Sequence, residues 1–344
     1  MSKGLLRRGM SLFSKIILVT VLIGNFFIIS CNNNKPTSPF SEVLSQPPFA
    51  SLTDSIKKEP QNDGLYFRRA VLLNKNNFPE PALADFQKAW SLKKEEKYAL
   101  GISTILADKK PDSAIAFLSS ALKEMPNSFL LHLSLAHSYS AQNKTDDAVK
   151  ICNEILQHNP DQVDVMKMKA ELLDKKGNKD ESIHILEKAY HLTPFDVDLN
   201  YILALKYAES KNAKVISLCD SLIKKDSLHL HAEPYYYKGI YYSNIYDKTK
   251  ALAMFNEAIQ HDYYFLDAYI EKGAVLYEQK KYNDALKVFQ LVNTISATFA
   301  DAYYWIAKCQ QALGLKEEAL LNYNRAYGLD KTFTQAKDSA DKLK

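Results

Sequence analysis

Glycine is scarce in this chain of 344 residues: there are ten, and none falls in a phosphate-cradling loop or a dinucleotide fingerprint. The G-x-S-x-G elbow, the zincin motif and the CxxC pair are missing as well, so the common nucleophilic, metallohydrolase and thiol-redox layouts have no foothold. Cysteine is limited to Cys31, Cys152, Cys219 and Cys309. The last three are far apart and odd in number, which implies no disulfide framework and reads as small buried apolar side chains. An excess of one charge is lacking too. The formal +4 is carried by Lys3, Arg7, Arg8 and Lys15, and the rest of the chain balances 40 basic against 40 acidic residues. Such a chain lacks the surplus of Lys and Arg that drives counterion release, so nucleic acid is not an expected partner. A long apolar run is absent: the longest, Ile16 to Ile29, falls short of the roughly twenty residues that cross a bilayer as a helix. Hydrophobic residues make up 47% of the sequence, well above a disordered composition, so a large folded core is expected.

The basic start followed by this short apolar run has the layout of a secretory signal. The run ends in Ile28-Ile29-Ser30-Cys31, which resembles the lipobox of bacterial lipoproteins. The resemblance implies a signal peptide over 1–30, cleavage before Cys31, and lipid on the Cys31 sulfur and on its new amino group. Two acyl chains suffice for stable anchoring, since each buried methylene contributes about 0.8 kcal/mol. An uncleaved signal anchor is the alternative reading of the same run. Residues 31–48, with Asn32, Asn33, Asn34 and Lys35 and then Pro, Ser and Gln, read as a flexible tether. No Asp follows the cysteine and no acidic cluster comes after it. Set against known sorting patterns, this points to the periplasmic face of the outer membrane.

Self-comparison of the remainder reveals a period of 34. Gly239, Gly273 and Ala307 are spaced by it; twelve residues after each stand Ala251, Ala285 and Ala319, then Phe255, Phe289 and Tyr323, then Ala258, Val292 and Ala326. The same interval links Ala136, Ala170 and Ala204, and it links Pro126, Pro160 and Pro194. Each unit carries two apolar stripes at helical spacing, broken by a short polar turn. Gly177 and Gly314 fall at that turn, where a left-handed residue can end the first helix. Asp146, Asp147, Asp180, Glu181, Glu317 and Glu318 open second helices, where negative charge suits the helix dipole. Gly or Ala at the crossing lets the paired helices approach closely.

This pattern resembles the tetratricopeptide repeat family. The resemblance covers 63–333 and implies an all-α fold, a right-handed α-solenoid of about eight helical hairpins. Units begin near Asp63, Lys97, Phe129, Val163, Val197, Ala232, Leu266 and Ala300, with a compressed second unit and extra residues near His229-Leu230-His231. Residues 49–62 are expected to form an N-terminal capping helix and 334–344 a C-terminal one, because terminal repeats would otherwise expose an apolar stripe. The family's signature tryptophan is replaced by Tyr235, Tyr269 and Tyr303.

No residue set promises catalysis, and no cofactor or metal is expected. His184, Glu187 and His191 share a helix face and could in principle hold a metal, but they lie on the outward side of a second helix, which an ordinary solvated surface explains better. Tyrosine says more: 15 of 21 lie between Tyr235 and Tyr327. Tyr235, Tyr242, Tyr269, Tyr282, Tyr303 and Tyr323 take core positions of the repeat. In the family, the first helices line a concave groove, and the positions that face it hold Tyr236, Tyr237, Tyr277, Tyr304, Trp305 and Lys308, with Asn244 and Gln311 nearby. Rings with polar tips offer large contact area and few rotamers to lose. The Lys and Asn clamp of chaperone-binding members is replaced by Phe67, Val71, Leu133 and His137. The sequence therefore reads as a non-enzymatic, membrane-anchored scaffold that binds a peptide or protein of the cell envelope. A lipoprotein that captures glycan or another ligand on the same aromatic groove is the alternative.

Overall fold

A computed structural model describes residues 39–228 and 231–343. The signal segment, Cys31 and the start of the tether lie outside them. Every regular element among the described residues is an α-helix, and none is long and apolar enough to cross a membrane. Eight antiparallel pairs account for most of the chain: α3 (Asp63–Lys75) with α4 (Pro79–Leu92), α5 (Glu96–Lys109) with α6 (Pro111–Glu124), α7 (Phe129–Ala141) with α8 (Thr145–His158), and α9 (Val163–Lys175) with α10 (Lys179–Leu192). They continue as α11 (Val197–Glu209) with α12 (Lys214–Lys225), α13 (Glu233–Asn244) with α14 (Lys248–His261), α15 (Leu266–Glu278) with α16 (Tyr282–Ile295), and α17 (Ala300–Ala312) with α18 (Lys316–Leu329). Each packs on its partner and on the next pair, as the period requires.

The second helix of each pair buries its repeat residues: in α16, Ala285, Phe289 and Val292 are wholly buried at i, i+4 and i+7, one face of a 3.6-residue helix. The first helices are fixed at their starts by side-chain caps in two cases. Ser128 Oγ accepts from the Leu131 N–H at 3.1 Å and Asp196 Oδ1 from the Leu199 N–H at 3.0 Å. Where the two helices cross, a side chain on the first would collide with the aromatic ring of the second. A Cβ placed on Gly273 would lie 2.5 Å from Phe289 Cζ, and one on Gly239 would lie 2.5 Å from Phe255 Cε1.

The period is written in the backbone itself. Left-handed residues close the turn inside seven of the eight pairs, at Asn77, Asn143, Gly177, Lys211, Tyr246, Lys280 and Gly314, mostly 34 apart. Only two are glycine, so the fold imposes this conformation on side chains that resist it. The compressed second pair differs: α5 runs to Lys109, a single residue intervenes, and Pro111 begins α6 with its fixed φ already helical.

Both ends are covered. α1 (Ser41–Leu44) and α2 (Ala50–Lys58) precede the first pair, and Leu44, Phe49 and Ile56 are buried. The packed body therefore begins before residue 48, and the second half of the expected tether is structured. The cause is apolar: Leu44 and Phe49 join the core of Ala70, Leu73, Ala82 and Phe86. A buried ion pair locks this end. Arg69 donates to both carboxylate oxygens of Asp85 at 2.6 and 2.7 Å, and to Thr53 Oγ, which in turn donates to the Leu44 carbonyl. At the other end α19 (Thr334–Asp341) lays Ala336 and Ala340 against the core of α17 and α18.

Cys152, Cys219 and Cys309 are buried free thiols. Burial pushes Cys152 up to about 11 and the other two up to about 12, so all three stay protonated and unreactive.

Candidate binding groove

The aromatic side chains of the C-terminal hairpins bridge successive first helices. Tyr201 on α11 meets the ring of Tyr237 on α13 edge-on at 5.9 Å, and Tyr277 on α15 meets Trp305 on α17 at 5.8 Å. Trp305 lies flat on Phe289, with centroids 5.4 Å apart and planes 14° from parallel. Lys308 extends over these rings. Its Nζ is 4.1 Å from the Trp305 centroid and 5.0 Å from that of Tyr277, a cation–π arrangement. Burial lowers its pKa, and no carboxylate is among the groups that act on it. Among the described residues, the contacts that hold the ammonium are aromatic faces.

Not all six expected groove residues present themselves equally. Tyr304 is 7% exposed and belongs to the core; its ring packs on Tyr323 at 5.6 Å and on Phe333 at 4.9 Å. The cause is visible in the repeat. Tyr236 occupies the same place in its hairpin and packs at the same 4.9 Å on Phe265, the residue that closes that hairpin. This position holds one hairpin to the next, and in the last hairpin α19 completes the enclosure of Tyr304. Tyr236 is half-buried, and burial, followed by the charges of Glu271 and Asp267, raises its hydroxyl pKa. Tyr237, Tyr277, Trp305 and Lys308 remain half-buried, each with a face toward solvent.

The tyrosines assigned to the core also divide. Tyr269 and Tyr323 are 3% and 2% exposed, as expected, whereas Tyr235, Tyr242, Tyr282 and Tyr303 are only half-buried. Tyr303 instead donates its hydroxyl to the Ala297 carbonyl at 3.1 Å. Glu187, once grouped with His184 and His191, accepts from the Tyr207 hydroxyl on α11 and from Lys214 at the start of α12, both at 2.6 Å, and so is spent on tying α10 to the next hairpin.

The acids of this surface escaped the sequence reading. Glu271 stands one repeat before Trp305. Burial, then Asp267 and Glu278, raises its carboxyl above the usual range, and no cation is among the groups that act on it. Asp301 is raised in the same way, by burial and then Asp267 and Asp330. A signal existed: Asp164, Asp198, Glu233, Asp267 and Asp301 recur at intervals of 34 or 35 near the start of the first helix in the last five hairpins. That row reads as helix-dipole matching, which hid its second consequence, a negative rim beside the rings.

Comparison with known proteins agrees with this architecture. Tetratricopeptide repeat models match residues 106–172, 141–206 and 300–333. A crystal structure of a tetratricopeptide repeat protein from Parabacteroides merdae superposes with a TM-score of 0.59 at 18% identity, covering 71% of this chain and 96% of that one. The tetratricopeptide domain of P58(IPK) is 17% identical over 86% of this chain and 91% of its own, with a TM-score of 0.32. No curated protein matches. The chain carries tetratricopeptide repeats in these segments, and its fold is that of an α-solenoid.

Proposed function

We propose that this chain is a membrane-anchored scaffold of a bacterial cell envelope, which holds a protein or peptide partner on the first-helix surface of its last three hairpins. Protein binding is the general use of the family. The observation that carries the location is the cluster of Tyr277, Trp305 and Lys308, where a cation with no acidic partner lies on rings open to solvent. Residues of this kind are over-represented among binding hot spots, where truncation costs about 2 kcal/mol or more. The basic start, the apolar run and Ile28-Ile29-Ser30-Cys31 support the anchor. They place the protein, in this reading, on the periplasmic face of the outer membrane.

The test has two arms. A photo-crosslinker at Tyr237 in the native host, followed by mass spectrometry, should identify a protein. Lys308→Ala and Trp305→Ala should then weaken binding of that purified protein at least about tenfold, with melting nearly unchanged for the lysine variant. Unchanged affinity in both variants, or crosslinks only to glycan, would remove the scaffold from this surface. Cys31→Ala should accumulate unprocessed precursor without fatty-acid label; intact labelling would refute the anchor.

A further inference from the structure

Five of the eight hairpins keep a rule that hairpins three, four and five break, with His132, Met166 and Asn200. The fourth residue of the first helix, aligned through the repeat, is Tyr66, Tyr235, Tyr269 or Tyr303 in hairpins one, six, seven and eight, with Tyr98 in the second. In hairpin six this ring stacks on His261 at the end of the second helix, with centroids 4.6 Å apart. Tyr66 and Tyr303 donate to the carbonyl six residues back, Pro60 and Ala297. Hairpin five has Asn200 instead. Its Nδ2 reaches the equivalent carbonyl, Pro194, at 3.2 Å, so the hydrogen bond is kept and the ring is not.

The missing ring leaves a cavity of about 280 Å³ between the start of α11, the end of α12 and the start of α13. Asn200 and Tyr201 lie on one side, Leu222 and Lys225 on another, with Pro234 beyond. Asn200 is 3% exposed, and its Oδ1 is buried with no hydrogen-bond partner. An acceptor left so opposes folding until a donor arrives. At the rim Phe195 is 79% exposed, with Lys225 Nζ 5.0 Å from its ring centroid. Val197 and Leu228 are exposed beside it on the same cavity, and a contiguous apolar patch of this kind marks a contact surface. The acids Glu233, Asp226 and Asp198 act on Tyr201, which burial and these charges push up to about 12. The surroundings carry both signs of charge, Lys225 against these acids, and the buried group left without a partner, Asn200 Oδ1, is an acceptor, which calls for a neutral donor.

We propose that this cavity takes a tyrosine side chain of a protein partner, its ring against Leu222 and Phe195 and its hydroxyl donating to Asn200 Oδ1. The choice of tyrosine follows from the repeat, since it is the side chain that the next hairpin, with Tyr235, places in the same space and that five of the eight hairpins carry at this position. The site is separate from the Trp305 surface and stands without it.

The probe is N-acetyl-tyrosinamide, titrated into the intact protein with labelled leucine methyls. A saturable shift of the Leu222 methyls is expected, with N-acetyl-phenylalaninamide binding about fivefold more weakly for want of the hydroxyl. Asn200→Tyr should abolish binding and melt no lower than the native chain, because the chain then supplies the ring itself. Should that variant misfold, Phe195→Ala, altering an exposed residue, should still weaken binding severalfold. No saturable shift at millimolar probe, equal binding of the two amides, a shift that survives in folded Asn200→Tyr, or shifts confined to the Trp305 surface would each overturn the proposal.

Discussion

Gly273→Ala adds one methyl group where the structure has no room for it. The new Cβ would sit 2.5 Å from Phe289 Cζ, well inside van der Waals contact. Phe289 is wholly buried, and its opposite face lies flat against Trp305. The ring must therefore push on Trp305, or the helices must separate. Overpacking of this kind costs about 1–3 kcal/mol. Replacing a mid-helix glycine with alanine recovers up to about 1 kcal/mol of helix propensity. The net expectation is a loss of about 0–2 kcal/mol for alanine, and a larger one for leucine. The repeat supplies a way to isolate the clash, because hairpin four pairs Ala170 with Leu186 at the same two positions. Phe289→Leu alone should cost about 1–2 kcal/mol through the space it leaves. In the Gly273→Ala background the same change should cost much less, giving a favourable coupling of about 1 kcal/mol or more. Urea unfolding of the four proteins measures it. Hydrogen exchange in α15 and α16 shows whether the loss is local, as a chain of nearest-neighbour contacts requires. Additive costs, or a stabilised Gly273→Ala, would show that the two helices do not cross where the ring and the glycine place them.

Other consequences are equally open to measurement. Arg69→Met should lower stability by about 3–5 kcal/mol in chemical denaturation, since it leaves the Asp85 carboxylate buried and unpaired; Arg69→Met with Asp85→Asn should recover much of it. Lys280→Gly relieves a left-handed conformation at φ 61° and should stabilise by about 1 kcal/mol, whereas Gly177→Ala, at φ 81°, should destabilise. Glu271 has its folded-state pKa raised above the ordinary 4.5, chiefly by burial, so it binds its proton more tightly folded than unfolded. Its charge therefore opposes folding at pH 7, and that cost fades as the pH falls toward 4.5. Glu271→Gln should accordingly melt above the native chain at pH 7, with the gap closing on acidification; a gap independent of pH would contradict the assignment.

The hairpins were legible because the residues that pack them cannot vary freely. Gly273, Ala285, Phe289 and Val292 meet at one crossing, and their sizes are set by one another, so the 34-residue spacing survives in the letters. The turns were legible only at Gly177 and Gly314. At Lys211, Tyr246 and Lys280 the same left-handed backbone is imposed by the two helices it joins, and nothing in the side chain announces it. The groove was half legible. Neighbours such as Tyr304 and Trp305 look alike in sequence, but a helix turns about 100° between them. One therefore faces Phe333 and the core while the other supports Lys308. Distinguishing them required knowing that in hairpins six and eight the closing phenylalanine folds back onto this first-helix position, a contact between residues 29 apart.

In a solenoid the period itself is a record of packing, so residues that keep it carry little information about partners. Function is better sought where a residue departs from its equivalents without disturbing the backbone. Trp305 and Glu271 stand at one repeat position where the hairpins share no side-chain type, and Lys308 replaces the Ala274 of the hairpin before. Asn200 stands where five other hairpins have tyrosine, yet α11 keeps its length and its cap. A departure that preserves the helix while leaving a charge unpaired or an acceptor unsatisfied costs stability in the isolated chain. Such a cost is expected where a second molecule completes the interaction, and it should be recovered on binding as a rise in melting temperature that grows with partner concentration.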